Sequence, residues 1–254
     1  MMNHEDLLTR VTDAQPYPLL FATLSGAHLY GFASADSDYD LRAVHVLPAE
    51  EILGLRKGPS TINETSIQDG IELDFVSHDA EKFFGLMLRR NGYVLEQIFS
   101  PLVIHGGDGL ERLRDIGGRC ITRHHAHHYL GFAANQWKLF RKESSPRVKP
   151  LLYTYRVLLT GIHLMRTGNV EANLLTLNED FKLSFLADLV ALKQEGAEKG
   201  ILEGSDLEFH TREYAHLTAL LEAAYSESTL PEAPTATDEL HDYLLELRLQ
   251  KQEE

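Results

Sequence analysis

LSGAHLYGFASADSDYDLRAVHVLP, residues Leu24 to Pro48, is the stretch from which the rest of the chain is read. A small-residue turn, Ser25-Gly26-Ala27, opens a short helical piece, a run of small polar residues follows, and Asp38-Tyr39-Asp40 leads into an apolar strand. Side chains alternate between the two faces of a strand, so Asp38 and Asp40 share one face. Like charges this close repel unless a cation lies between them. Mg²⁺ suits such a pair, because it takes one or two carboxylates together with substrate phosphates. Further along, Tyr39, Leu41, Ala43 and His45 alternate with Asp40, Arg42, Val44 and Val46, so the strand starts at a charged site and runs into a core.

Immediately upstream, Leu19 to Leu24 is an apolar run of strand length that ends at the Ser25-Gly26 turn. Strand, small-residue turn and helix start leave backbone N–H groups directed at an anion, which makes Ser25, Gly26 and Ala27 candidate phosphate contacts. Before them Asn3 to Val11 forms a short amphipathic helix, with Asn3 as its cap and Glu5 and Asp6 in its first turn, and Pro16 and Pro18 stop it.

Downstream, Pro48 to Leu53 has the proline-first, acid-second pattern of a short helix, and Gly54 to Gly70 is irregular, with a strand around Ser60 to Ile67. Gly70 to Ser77 then alternates cleanly, Ile71, Leu73 and Phe75 against Glu72, Asp74 and Val76. A neighbouring strand is the natural source of a third carboxylate. Asp74 is favoured over Glu72 because it sits mid-strand, where an acid needs a reason. Ser77 or Asp79 caps a helix through Arg90 that Asn91-Gly92 ends, Tyr93 to Phe99 is a further short helix, and Leu102 to His105 is a buried strand before Gly106-Gly107.

After Gly118 the periodicity is helical throughout: Ile121 to Lys142, Arg147 to Thr167, Glu179 to Lys193, Asp206 to Tyr225 and Thr237 to Lys251. Ser144-Ser145-Pro146, Gly168-Asn169, Gly196 to Gly204 and Pro231 to Pro234 separate them, and the polar end of the last helix frays. The fold class expected is α+β: a small mixed sheet flanked by helices over residues 1–118, followed by an all-α bundle over residues 119–254.

Composition is that of a soluble globular protein, 43% hydrophobic and 24% charged, and the length suffices for a substantial core. With a single cysteine, Cys120, no internal disulfide framework or cysteine-rich zinc site can form. The polar start MMNHEDLLTR and the lack of any long apolar run lead to the expectation of a cytoplasmic protein with no membrane partner. A net charge of −14 argues against a protein that holds long nucleic acid, but its distribution is uneven. From Arg119 to Arg166 nine basic residues face one acid, Glu143, a local +8 that could meet a phosphate-bearing ligand or simply be solvated helix surface.

His124-His125-Ala126-His127-His128 places His124 and His128 at the i, i+4 spacing of paired zinc ligands. Neighbouring turns carry no carboxylate to complete a site, so structural or substrate-contacting histidines are favoured. Cys120 between Arg119 and Arg123 reads as a buried, inert thiol. No Gly-x-Ser-x-Gly elbow, Gly-Lys-Ser phosphate loop or Gly-x-Gly-x-x-Gly is present.

Taken together, the glycine turn at a helix start, the Asp38-x-Asp40 strand and the lone Asp74 on a later strand resemble the nucleotidyltransferase superfamily of the DNA polymerase β type, from Tyr17 to His105. More narrowly, Leu29 to Arg42 (LYGFASADSDYDLR), Glu72-Leu73-Asp74, Asn91 to Gln97 (NGYVLEQ) and Lys149 to Tyr153 (KPLLY) are similar to the nucleotidyltransferases associated with RNA-repair ligases. The resemblance implies transfer of a nucleoside monophosphate from an NTP to a hydroxyl, an RNA end in the narrower case, with release of pyrophosphate. It implies two Mg²⁺ ions, replaceable by Mn²⁺, held by Asp38, Asp40 and Asp74, and RNA-repair ligase machinery as a partner. The superfamily turn usually reads Gly-Ser, whereas this chain has Gly26-Ala27, with Ser25 as the candidate substitute. In such proteins the following helices close over the nucleotide. Lys149, Tyr153 and Arg156, on one face of a helix, either bind triphosphate charge and stack a base or divide into a core tyrosine and two surface cations. Two alternatives stay open: a protein hydroxyl as acceptor of AMP, and an inactive nucleotide-binding or scaffold module.

Overall fold

The computed structural model describes residues 4–142, 147–195 and 204–249. The expected cap at Asn3, the Ser144-Ser145-Pro146 breaker, residues 196–203 and the tail from 250 lie outside the described residues. Two compact units are formed, Met1–Gly26 with Asp38–Cys120 and Ala233–Glu254, and Ala27–Ser37 with Ile121–Glu232.

The first unit is a mixed α+β structure. In chain order it contains α1 (His4–Asp13), β1 (Leu19–Leu24), then, after the short α2 (Gly26–Tyr30), β2 (Tyr39–His45), α3 (Ala49–Leu53), β3 (Thr61–Gln68), β4 (Ile71–Asp79), α4 (Ala80–Leu88), α5 (Gly92–Ile98), β5 (Val103–His105) and α6 (Asp108–Gly118). The strands form one sheet in the order β3-β4-β2-β1-β5. Only β2 and β4 run parallel, and their register sets Asp40 beside Asp74.

Alternation along these strands builds the core. Leu24 and Ala22 of β1, Leu41 and Ala43 of β2, and Leu73 and Phe75 of β4 pack against Leu7 and Leu8 of α1. Each leucine or phenylalanine among them contributes about 1.5–3 kcal/mol when fully buried. On the opposite face Phe21 meets Phe83 of α4 edge to face, 5.5 Å between centroids. That leaves Asp40, Arg42, Asp74 and Val76 on the α4 and α5 side of the sheet by parity.

Asp79 caps α4, its side chain accepting from the Glu81 N–H. The helix ends at Leu88 with Arg89 as its C-cap, and Arg90 just beyond adopts the left-handed region (φ 64°), so it stops short of the expected end at Arg90 before Asn91-Gly92. Asn91 instead starts α5 by accepting from the Tyr93 N–H, because its side-chain oxygen satisfies an orphan donor of the new helix. The sequence expectation also passed over α6, which buries Leu110, Leu113 and Ile116 on one stripe between bracketing glycines.

The second unit is helical: α7 (His125–Lys142), α8 (Val148–Thr167), α9 (Leu174–Phe181), α10 (Phe185–Gln194) and α11 (Gly204–Glu227). Because α8 is buried on nearly every side, it forms the centre of the bundle, packed by α7, α9, α10 and α11. The single helix expected over Glu179 to Lys193 is two. Lys182 in the left-handed conformation (φ 55°) ends α9, and the Asn178 side chain closes the turn by accepting from the Leu183 N–H and donating to its carbonyl. The long helix expected from Ile121 starts only at His125, whose N–H donates to the Thr122 carbonyl. A final helix, α12 (Thr237–Leu249), belongs to the first unit, where Tyr243 stacks on Phe84 and Glu239 pairs with Arg119.

No helix among the described residues is long and apolar enough to cross a membrane.

Candidate active site

Parallel pairing of β2 with β4 sets Asp40 next to Asp74 near the start of both strands. Their carboxylates converge on one cation. Arg42 Nη2 donates to Asp40 Oδ1 at 2.5 Å and to Asp74 Oδ2 at 2.9 Å. The arginine side chain is 11% exposed, that of Asp40 18% and that of Asp74 32%, so the cluster is half enclosed and reachable from solvent at Asp74.

The rest of the guanidinium is anchored to uncharged groups. Nη1 donates to the Leu41 carbonyl (2.9 Å) and the Asp74 carbonyl (2.8 Å), and Nε donates to the Tyr93 hydroxyl (2.8 Å). Burial favours loss of the Arg42 proton, but Tyr93, Asp40 and Asp74 outweigh it and hold the pKa above the ordinary arginine value. Arg42 is therefore a permanent positive charge between two carboxylates.

Gly26 is built into the same arrangement. Its φ of +60° lies in the left-handed region, and a Cβ placed there would come within 1.7 Å of Asp40 Oδ2. Only a residue without a side chain lets the carboxylate rest against the turn. The strand ends are tied alongside, the Ser25 N–H donating to the Asp40 carbonyl at 2.9 Å. Turn and carboxylate thus form one structural feature.

Asp38 directly precedes β2 and is half-buried. Among the described residues no three His, Cys, Asp or Glu side chains are already gathered into a group that could hold a metal. Glu72 is exposed, as a solvated strand charge would be.

In the second unit the three α8 residues part company. Lys149 is exposed and Tyr153 half-buried, whereas Arg156 is 2% exposed with its guanidinium 3.7 Å from the Tyr30 ring centroid. Tyr153 itself packs edge-on against Tyr30 and Phe32. Arg156 is therefore not one of two surface cations but a buried one.

The same unit holds Lys193, buried at 2% exposure, with Nζ donating to Ser34 Oγ (2.6 Å) and Ser37 Oγ (2.8 Å). It fastens the loop that leads into Asp38. Asp36 in that loop is held below the usual carboxylate range, first by the Ser34 hydroxyl and its own backbone amide and then by the charges of Lys193 and Lys149.

The histidine cluster is structural in its contacts. His124 Nε2 lies 2.6 Å from Glu232, His125 is buried, and His127 packs against Tyr225. Cys120 is a buried free thiol, and burial raises its pKa to about 11, which leaves it inert.

Sequence reasoning missed Arg42, Tyr93 and Lys193 as parts of these arrangements. Arg42 had a signal, since it stands two residues after Asp40 on the same strand face. Tyr93 stood in the NGYVLEQ motif without a stated role and Lys193 had no signal, because only folding brings them to Arg42 and to the serines.

A mixed sheet carrying an Asp-x-Asp strand, a third aspartate on the adjacent parallel strand and a glycine turn against the acid defines a nucleotidyltransferase-like protein. The family model described as RlaP, RNA repair pathway DNA polymerase beta family, matches residues 2–246, and the chain belongs to that family. It is also similar to an uncharacterized protein of Methanocaldococcus jannaschii, MJ0002, 31% identical over 154 residues. A second relative is the uncharacterized protein YcgL of Bacillus subtilis, 25% identical over 167 residues. These matches take in 61% and 65% of this chain and 63% of each relative, so they span less than two thirds of the relatives' length. Among solved structures, a nucleotidyltransferase-like protein from Exiguobacterium sibiricum 255-15 aligns over 99% of this chain and 81% of its own. At 11% identity and a TM-score of 0.35, that likeness carries no argument.

Proposed function

We propose that the chain is a Mg²⁺-dependent nucleotidyltransferase that moves a nucleoside monophosphate from an NTP to a hydroxyl at an RNA end and releases pyrophosphate. One observation carries this reading: Asp40 and Asp74, on parallel strands in register, direct one oxygen each at a single positive nitrogen. That nitrogen is a stand-in cation, and two half-enclosed carboxylate oxygens aimed at one positive centre are a donor set that Mg²⁺ accepts. The residues therefore fit the group.

Asp40 and Asp74 would hold the metal, with Asp38, ahead of them on the same strand side, as the third carboxylate; Mn²⁺ suits the same donors. When bound, the ions neutralise triphosphate charge and stabilise the attacking and leaving oxygens of an in-line displacement. The acceptor oxygen bonds to the α-phosphorus, the bond to the β-phosphate bridge breaks, and pyrophosphate leaves. Asp74, the more exposed of the pair, faces the incoming hydroxyl and favours loss of its proton. Asp40 is fixed by its seat on Gly26. Backbone amides of Ser25, Gly26 and Ala27 are assigned to the departing phosphates, which makes the hydroxyl of the usual Gly-Ser turn dispensable. Following the family resemblance alone, Lys149 is assigned to ligand phosphate charge and Tyr153 to stacking on the base, while Arg156 lies against the Tyr30 ring within its own unit.

The test is incubation with each labelled NTP, Mg²⁺ and either RNA or protein acceptors. Label on RNA that is lost in Asp40→Asn supports the reading. Label on protein moves the acceptor to a protein hydroxyl. If nothing is labelled and Asp40→Asn leaves nucleotide binding unchanged, the enzyme reading is wrong.

A further inference from the structure

The five N–H groups of a guanidinium are all engaged at Arg42, and they divide into two kinds. Three go to uncharged acceptors: Tyr93 Oη, Leu41 O and Asp74 O. The other two, both on Nη2, go to Asp40 Oδ1 and Asp74 Oδ2. The uncharged contacts can hold the guanidinium in place when the charged ones are broken. The charged ones occupy one lone pair on an oxygen of each carboxylate, and a lone pair directed at Nη2 is not available to a metal at the same time.

We propose that Arg42 is the resident counter-cation of the metal-free site and sets its divalent-ion affinity by competing for Asp40 and Asp74. The inference rests on the reading of these two aspartates as metal ligands. With Arg42 between them the pair presents a single net negative charge, so the metal-free protein does not confront two adjacent unbalanced carboxylates. Entry of a divalent ion then exchanges one cation for another of higher charge. Arg42 would remain tethered beside it through Nε and Nη1, as a positioning residue that does not itself touch the reacting atoms.

The roles of charge and tether can be separated. Arg42→Met removes the competitor and keeps the length of an unbranched side chain. Tyr93→Phe removes one tether while leaving every charge in place. The full chain is titrated with Mn²⁺ alone by calorimetry, and thermal melts are recorded in chelator and in excess Mg²⁺. In Arg42→Met we expect Mn²⁺ to bind at least tenfold more tightly than in the wild type, with a lower Tm in chelator that Mg²⁺ restores. In Tyr93→Phe the same shift should appear at two- to threefold. Arg42→Met decides the matter if it folds, and Tyr93→Phe decides it if Arg42→Met does not. Unchanged or weaker Mn²⁺ binding in the deciding variant, with the wild type binding normally, overturns the competition and leaves the metal reading standing. Absence of Mn²⁺ binding in both wild type and variants removes the metal reading itself, and the competition with it.

Discussion

Asp40 and Asp74 are distant in sequence yet share one nitrogen, whereas Lys149 and Arg156 lie two turns apart on one face of a helix and end in opposite environments, one in solvent and one in the core. Strand register makes the difference. Neighbouring strands lie about 4.7–4.9 Å apart, so once β2 and β4 are aligned in parallel register their same-face charges must meet. A helix face only puts residues on one side of a cylinder. What lies against each turn of that side is decided by other elements, and at Arg156 it is Tyr30.

The widest gap between the two regions is expected in catalysis. Asp40→Asn keeps the shape and the strand but removes the charge, and it should lower nucleotidyl transfer by about 10³-fold, in line with the several kcal/mol that metal-borne charge stabilisation supplies. Single-turnover assays with RNA acceptors measure it. A loss below tenfold in a folded variant would place the chemistry elsewhere and break the comparison.

Gly26→Ala comes next. The left-handed backbone costs an L-residue roughly 1–2 kcal/mol, and the new methyl would displace the Asp40 carboxylate. Because an ångström of misplacement can cost on the order of 10²-fold in rate, we expect that loss together with a lower Tm. A fully active, equally stable Gly26→Ala would show that turn and carboxylate are not one feature.

On the helical side the contrast is in stability. Arg156→Met should destabilise the protein by about 2 kcal/mol through loss of a desolvated cation–π contact. Lys149→Ala, at an exposed site, should stay within about 0.5 kcal/mol while weakening NTP or RNA binding at low salt. Denaturant unfolding separates the two, and equal effects would return both residues to one surface.

A further effect is one of pH. Burial, helped by Lys82, His45 and Arg42, lowers the His78 pKa to about 4, below its ordinary value of 6.5. The unfolded chain then binds a proton that the folded one refuses, so the contribution is full above pH 6.5 and is lost as pH falls toward 4. Unfolding free energies from pH 7 to 4 should fall less steeply in His78→Asn than in the wild type. Identical slopes would assign the acid sensitivity to other groups.

Much of the sheet unit is legible along the chain. Alternation in Asp38 to Leu47 and in Gly70 to Ser77 identifies the strands, their buried faces and the acids on the other side. The α9–α10 break and α6 were not legible. Lys182 has no intrinsic reason to turn left-handed apart from the Asn178 side chain that closes the turn, and α6 is a short stripe whose burial depends on its neighbours. For the candidate site, the carboxylates and the glycine stood in the sequence as a recognisable pattern. Arg42 stood there as well, but as an ordinary outward residue.

By itself the sequence determined the α+β class, the faces of β2 and β4 and the position of Asp40, Glu72 and Asp74 on them, because period-two alternation is a local property of the backbone. It also carried the motif that marks the family. Only the tertiary structure decided that Asp74 comes to Asp40 through parallel pairing, that Tyr93 anchors the arginine between them, and that Arg156 is buried. Each of these depends on which elements pack together, and a one-dimensional pattern says which face a side chain takes without saying what it will meet there.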